Sequence, residues 1–175
     1  MKLVFRLPYY AYPAKPTADA PVLLFLHGIG EGFVSKEQIG PQNLFQQGPP
    51  KHLGTLPATH PLRSSFTLVA PQLPDRETSW SDVINDVEQL LVSHRSHGGK
   101  LYIFGFSKGG LGAFQVAERL GADALVAVDA SPMGVAPKDA VDQWVRPLGQ
   151  LPFWAIHTSY APGEERYRLL DSTAC

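Results

Sequence analysis

The chain alternates between short apolar runs and segments whose apolar positions recur at helical spacing. The apolar runs cover residues 22–28, 66–71, 101–106, 124–130 and 152–158. Runs of this length predict strands, and the continuous run at 22–28 indicates a strand that is buried on both faces, as in a parallel sheet. The helical spacing occurs in residues 81–94 and again in 108–120, where Gly121 is expected to close the helix.

The remaining segments are less regular. Residues 2–7 predict a short first strand, residues 8–21 a proline-rich turn region, and residues 29–65 a long connection with one short helix near 43–47. Helices are also expected within 137–145 and 163–171. Because strands and helices alternate, the chain is predicted to form one α/β domain over residues 1–175. We expect a mostly parallel sheet with helices on both faces.

Chemically active residue types lie where the predicted strands end. His27 and Gly28 close one strand, Pro71 closes another, and Ser107 and His157 follow two more. In open α/β sheets, binding and catalytic sites form at the carboxyl ends of the strands. This convergence predicts a functional site at that edge of the sheet.

Ser107 lies in the pattern Gly105-x-Ser107-x-Gly109, between a predicted strand and a predicted helix. This is the nucleophile-elbow pattern, in which a sharp turn exposes the serine and side chains two residues away would collide with the backbone. A serine nucleophile also needs two backbone N–H groups to hold the oxyanion. We expect them from Lys108, directly after the serine, and from Ile29 in the loop after "FLHG". His27 itself is expected to make structural hydrogen bonds.

Several motifs occur in an order that resembles the α/β-hydrolase superfamily: "PVLLFLHGIGEGF", "GPPKHL", "VAPQLPDRETSW", "LYIFGFSKGGLGAF" and "LPFWAIHT". More narrowly, the chain is similar to the esterase branch of phospholipase/carboxylesterases, polyhydroxybutyrate-depolymerase-like proteins and predicted peptidases. The resemblance covers residues 20 to 158, and its most specific parts are HGxG and GFSxGG. It implies a serine nucleophile, an acid after a late strand and a histidine after the last strand.

The C-terminal part departs from that family pattern. Where related sequences read His-Gly-x-x-Asp-Pro, this chain continues from His157 to Ala161 and Pro162, so alanine takes the place of the acid. Glu164 or Glu165 could replace that acid after a loop shift. Only 17 residues follow Thr158, too few for another strand, a loop and a closing helix. We therefore expect the last strand and helix of the fold to be missing, as in a C-terminally truncated chain.

Two residues could still serve as acid and base. Asp129 ends the strand at 124–130, a position where some members of the superfamily carry their acid, and His157 is the histidine that follows Ser107 in the chain. One interpretation is a set formed by Asp129, His157 and Ser107. The other is that Asp129 caps a turn and His157 is a structural histidine at a strand end.

Composition excludes several other classes of function. A net charge of −1 indicates no excess of positive charge for binding nucleic acid or an anionic membrane surface. No apolar window approaches the ~18 residues of a membrane span, and Arg6 and Pro8 interrupt the N-terminal apolar run, unlike a signal peptide. A single cysteine, Cys175, excludes a disulfide framework, and the histidine spacing indicates no metal site. These features fit a cytoplasmic protein.

Three hypotheses follow from the sequence. The first is a serine hydrolase that cleaves small-molecule carboxylic esters through an acyl-enzyme on Ser107, a reaction that needs no cofactor. The second is a non-catalytic, hydrolase-like binding or interaction protein with an incomplete triad. In that case a partner or a second copy would cover the open sheet edge. The third is a thioesterase or peptidase built on the same elbow.

Overall fold

The computed structural model describes residues 7–12, 19–32, 41–130, 139 and 141–156. Six strands occur in this part of the chain: β1 Tyr9–Tyr12, β2 Val22–Leu26, β3 Thr67–Pro71, β4 Leu101–Phe106, β5 Ala124–Val128 and β6 Phe153–Ile156. The α-helices are α1 Gly48–Leu53, α2 Pro61–Ser64, α3 Ile84–Val92 and α4 Lys108–Leu120. Short 3-10 helices cover Ile29–Glu31, Pro41–Phe45 and Arg146–Leu148, and a π-helical turn covers Val141–Val145.

The strands form one sheet in the order β1-β3-β2-β4-β5-β6. Strands β2 to β6 run parallel to their neighbours, and β1 pairs antiparallel with β3. Leu26 lies beside Gly105, and Gly105 lies beside Ala127, so β2, β4 and β5 end at the same edge. The predicted mostly parallel sheet is confirmed.

The two faces of the sheet are covered by different helices. Leu24 and Leu26 of β2 join the larger core cluster with α3 and α4, whereas Phe25 packs with Leu44 and Leu53 on the α1 side. All of these side chains are buried, and each contributes roughly 1.5–3 kcal/mol of stabilisation. Because successive residues of a strand point to opposite faces, one apolar strand can serve both layers. The prediction of helices on both faces is confirmed.

The segment around Ser107 has the predicted boundaries. Strand β4 and helix α4 coincide with the predicted 101–106 and 108–120. Gly121 ends α4 in the left-handed region, at φ 61°, and its N–H donates to the carbonyl oxygen atoms of Ala117 and Glu118. Glycine is favoured at such a position because it has no Cβ to clash.

Two predictions for the N-terminal half of the chain are incomplete. The region assigned to turns contains β1, which gains its structure by pairing with the outer side of β3. The short helix expected near 43–47 overlaps the 3-10 helix Pro41–Phe45, but the long connection also contains α1 and α2. Pro49 and Pro50 lower the helix propensity of the α1 segment, so the sequence does not predict this helix. Proline is nevertheless well tolerated in the first turn of a helix.

Several expectations concern parts of the chain that the structure does not describe. The first predicted strand lies almost wholly in residues 1–6, and the predicted helix at 163–171 lies outside the described residues as well. The absence of a last strand and helix, and the single domain, therefore stay predictions. In the described ranges, no helix combines the length and apolar character needed to cross a membrane.

Candidate active site

Ser107 forms a sharp corner between β4 and α4. Its backbone has φ 54° and ψ −116°, in a region that non-glycine residues rarely adopt. Its N–H donates to the carbonyl oxygen of Val128 at 2.7 Å, and its own carbonyl oxygen accepts from the N–H of Leu111 at 3.2 Å. Such strain persists only where the surrounding structure over-determines it, and it is concentrated at functional sites.

The neighbouring glycines allow this corner to form. A Cβ on Gly105 would overlap the carbonyl oxygen of Gly109. A Cβ on Gly109 would overlap the carbonyl oxygen of Leu26 at the end of β2. The glycines on either side of Ser107 are therefore required by backbone packing, as the elbow pattern predicts.

The loop after β2 lies directly against the serine. Gly28 is extended, at φ −78° and ψ −174°, and the 3-10 helix Ile29–Glu31 follows it. A Cβ on Gly28 would lie 3.3 Å from Cβ of Ser107. The Ile29 side chain is 46% exposed, so it contributes little to the core. The structure thus brings the segment that carries Ile29 next to the turn that carries Ser107 and Lys108.

His27 is a buried structural residue. Its Nε2 accepts a hydrogen bond from the N–H of Leu73 at 2.9 Å, which leaves the proton on Nδ1 to be donated to the carbonyl oxygen of Gly28 at 2.6 Å. Burial lowers the pKa of His27 to about 4, and the nearby Lys108 charge acts in the same direction. A neutral imidazole with both nitrogen atoms engaged cannot act as the base of Ser107, so its structural role is confirmed.

Lys108 joins the elbow to the loop after β3. Its Nζ donates to the carbonyl oxygen of Arg76. The same loop approaches the segment after β2, because a Cβ on Gly32 would lie 3.1 Å from the carbonyl oxygen of Asp75. Three segments, those after β2, β3 and β4, therefore meet around Ser107.

Asp129 occupies the neighbouring strand end. It follows Val128, the residue whose carbonyl oxygen accepts from Ser107, and its own N–H donates to the carbonyl oxygen of Ile156 at 2.7 Å. Among the residues that the structure describes, Ser107 and Asp129 are the non-glycine residues with positive φ, which is 49° at Asp129. His157, Glu164 and Glu165 lie outside the described residues.

A buried polar pair next to the serine was not singled out by the sequence. Glu31 is 3% exposed and Gln72 is fully buried, and Nε2 of Gln72 donates to the backbone carbonyl oxygen of Glu31 at 2.7 Å. The only sequence signal was a charged residue within the glycine-rich "GIGEG". Its burial depends on a contact between the loop after β2 and the end of β3, which the sequence does not specify.

No protein-family model matches the sequence, and no curated protein matches it. A protein of unknown function from Agrobacterium tumefaciens, a candidate α/β hydrolase, is similar with a TM-score of 0.54 at 15% identity, over 86% of this chain and 64% of that one. Esterase PE8 is similar with a TM-score of 0.51 at 18% identity, over 86% of this chain and 74% of that one. The chain has the α/β-hydrolase fold.

Other solved structures extend well beyond this chain. It spans 44% of the length of a Staphylococcus aureus protein of unknown function and 50% of Est1E from Butyrivibrio proteoclasticus. At identities below 25%, the structural similarity establishes the α/β-hydrolase fold alone. The narrower resemblance to the esterase branch stays a prediction. Within the described ranges of this α/β-hydrolase fold, no group of three or more His, Cys, Asp or Glu residues could hold a metal ion.

Proposed function

We propose that the protein is a serine hydrolase that cleaves carboxylic esters through an acyl-enzyme on Ser107. The observation that carries this proposal is the strained backbone of Ser107 at the junction of β4 and α4, directly against the Gly28 loop. A serine in this position has its Oγ exposed at the top of the sheet, where a carbonyl substrate can approach.

The proposed reaction has two halves. Oγ of Ser107 attacks the acyl carbon while its proton passes to a base, and the carbonyl oxygen becomes an oxyanion. The N–H groups of Ile29 and Lys108 stabilise that charge, and collapse of the intermediate releases the alcohol with the transferred proton. Water then attacks the acyl-enzyme in the same way, releasing the carboxylic acid and restoring Ser107.

The base and its acid belong to the proposal as well. We assign His157 as the base and Asp129 as the acid that orients it, because Asp129 lies at the strand end beside the elbow. His157 directly follows Ile156, whose carbonyl oxygen accepts from the Asp129 N–H. Such an acid holds the imidazole in the required tautomer and stabilises the imidazolium that forms.

A fluorophosphonate probe tests this function, because it phosphonylates an activated serine and stays attached. Wild type is expected to be labelled, and Ser107→Ala is expected to lose the label. Ser65→Ala, at an exposed serine after α2, is the matched control and is expected to be labelled like wild type. A folded wild type that stays unlabelled would contradict the proposal and favour a binding protein with an incomplete triad.

The leaving group requires a separate measurement. Hydrolysis rates for an ester, a thioester and an anilide with the same acyl group distinguish an esterase from a thioesterase or peptidase. We expect the ester to be cleaved fastest, with loss of turnover in Ser107→Ala for every substrate that is cleaved.

A further inference from the structure

Glu31 is a buried carboxyl group beside the proposed nucleophile. Its side chain is 3% exposed, although it lies in a short loop. Its Oε2 and Cβ of Ser107 lie 3.2 Å and 3.3 Å from the same point, the position that a Cβ on Gly28 would occupy. The carboxyl group and the serine are therefore neighbours on one side of Gly28.

One oxygen of the carboxyl group lacks the partner that a buried anion needs. Oε1 of Glu31 is buried and has no hydrogen-bond partner, and the same is true of Oε1 of Gln72. The Gln72 side chain contacts the backbone of Glu31, because its Nε2 donates to the backbone carbonyl oxygen of Glu31 at 2.7 Å. A carboxylate and an amide oxygen can only accept, so neither can satisfy the other while Glu31 is ionised. A protonated carboxyl group, in contrast, supplies an O–H donor.

We propose that Glu31 is a positioning residue that holds the loop after β2 against Ser107 as a neutral carboxylic acid. In that form its O–H is a donor in a region where two buried side-chain oxygen atoms, Oε1 of Glu31 and Oε1 of Gln72, have none. Burying an unpaired carboxylate would be far more costly than burying the neutral acid.

The electrostatics of the loop agree with this assignment. Burial raises the pKa of Glu31, and the backbone N–H groups of Glu31 and Gly28 offset part of that rise. The titratable or charged groups on the surrounding segments are His27, Lys108 and, in the loop after β3, Asp75, Arg76 and Glu77. His27 is neutral, Asp75 is an exposed carboxylate whose pKa is lowered mainly by the N–H of Thr78, and Lys108 donates to a backbone carbonyl.

The catalytic part of this inference rests on the proposed function. An ionised Glu31 would put a negative charge next to the site where the oxyanion develops, and the charge would oppose the transition state. A neutral Glu31 avoids that repulsion while it keeps the loop that carries Ile29 in contact with Ser107.

The stability of the protein tests the neutral state without any catalysis. A carboxyl group whose pKa is higher in the folded chain binds more protons when folded. Its contribution is therefore present at low pH and is lost as pH rises from about 4.3, the unfolded value, through the folded pKa. Glu31→Gln cannot ionise. We expect the unfolding constant of wild type to rise relative to that of Glu31→Gln between pH 4.5 and 8, roughly tenfold for each unit of pKa shift.

Glu118→Gln, at an exposed position of α4, provides the control for stability. Its unfolding constant relative to wild type should not follow the same trend. A Glu31→Gln difference that stays constant with pH, or that reverses, would overturn the neutral assignment whether or not the protein is an enzyme.

Fluorophosphonate labelling tests the positioning role. We expect Glu31→Ala to slow labelling at least tenfold and Glu31→Gln to restore most of the rate. The labelling rate of wild type should also fall as pH rises through the pKa of Glu31, and Glu31→Gln should not show this fall. Equal rates for all three proteins would overturn the positioning role. A wild type that is never labelled would instead overturn the proposed function, while the stability measurement still decides the state of Glu31.

Discussion

The backbone N–H of Ser107 donates to the carbonyl oxygen of Val128 at 2.7 Å, across the junction of β4 and β5. This hydrogen bond fixes the strained corner at Ser107 and sets Asp129, the residue after Val128, at the adjacent strand end. Each of the two residues with positive φ is thus tied by its own N–H to the neighbouring strand, Ser107 to Val128 and Asp129 to Ile156. Their proximity is a property of the sheet rather than of a flexible loop.

The close packing of the elbow gives the first prediction. Gly109→Ala places a Cβ into the carbonyl oxygen of Leu26, and the backbone of β2 and α4 must separate to accept it. We expect the free energy of unfolding to fall by at least about 3 kcal/mol, since overpacking against backbone has no flexible side chain to absorb it. Urea unfolding measures the change.

Gly54 offers a matched comparison for that substitution. It ends α1 with right-handed dihedrals, and a Cβ there would meet nothing within 4 Å. Gly54→Ala is expected to be neutral or slightly stabilising, because alanine restricts the unfolded chain. If both variants had the same stability, the close-packing account of the elbow would be wrong.

How well the sequence predicts this site depends on how far apart along the chain the contacting residues lie. Strand β4, Ser107 and α4 are contiguous, and an apolar run, a glycine pattern and helical spacing suffice to place them. β1 was missed because its structure comes from pairing with β3, which lies far away in the sequence. The burial of Glu31 against Gln72 was missed for the same reason, since 41 positions separate the two residues.

His27 gives a prediction for acid stability. Its pKa is about 4 in the folded protein because burial disfavours the imidazolium, whereas the unfolded value is about 6.5. The unfolded chain therefore binds the extra proton, and stability is lost as pH falls from 6.5 towards 4. The expected loss is about 3 kcal/mol, measured by urea unfolding across this range.

A pair of histidine variants isolates that effect. His27→Gln should be less stable than wild type at neutral pH, because the contacts to Leu73 and Gly28 are disturbed, but its stability should depend less on acid pH. His97→Gln, at an exposed position, should retain the wild-type dependence. If the free energies of unfolding of wild type and His27→Gln fell equally with decreasing pH, another group would cause the loss of stability in acid.

Asp129 is tested by a substitution that keeps its backbone. Asparagine tolerates a positive φ at least as well as aspartate, so Asp129→Asn should fold with nearly unchanged stability. If Asp129 orients the base, the rate of ester hydrolysis should fall by roughly 10²–10⁴-fold because the amide stabilises the wrong imidazole tautomer. Asp139→Asn, at an exposed position, should hydrolyse esters like wild type. A fully active Asp129→Asn would leave Asp129 as a turn residue.

The proposed oxyanion role of Ile29 depends on one backbone N–H, which proline removes. The position suits proline, because Ile29 begins a 3-10 helix and the preceding Gly28 is extended at ψ −174°. Ile29→Pro should therefore fold, yet hydrolyse esters roughly 10²–10³-fold more slowly, as expected for the loss of one oxyanion donor.

Ile29→Ala separates the backbone from the side chain at this position. The isoleucine side chain is 46% exposed, so its removal should cost little stability and should leave the N–H in place. We expect Ile29→Ala to keep kcat within a few-fold of wild type, while Ile29→Pro loses kcat with a smaller change in KM, since the lost contact forms only in the transition state. If the alanine variant were as slow as the proline variant, the Ile29 side chain rather than its N–H would support the reaction.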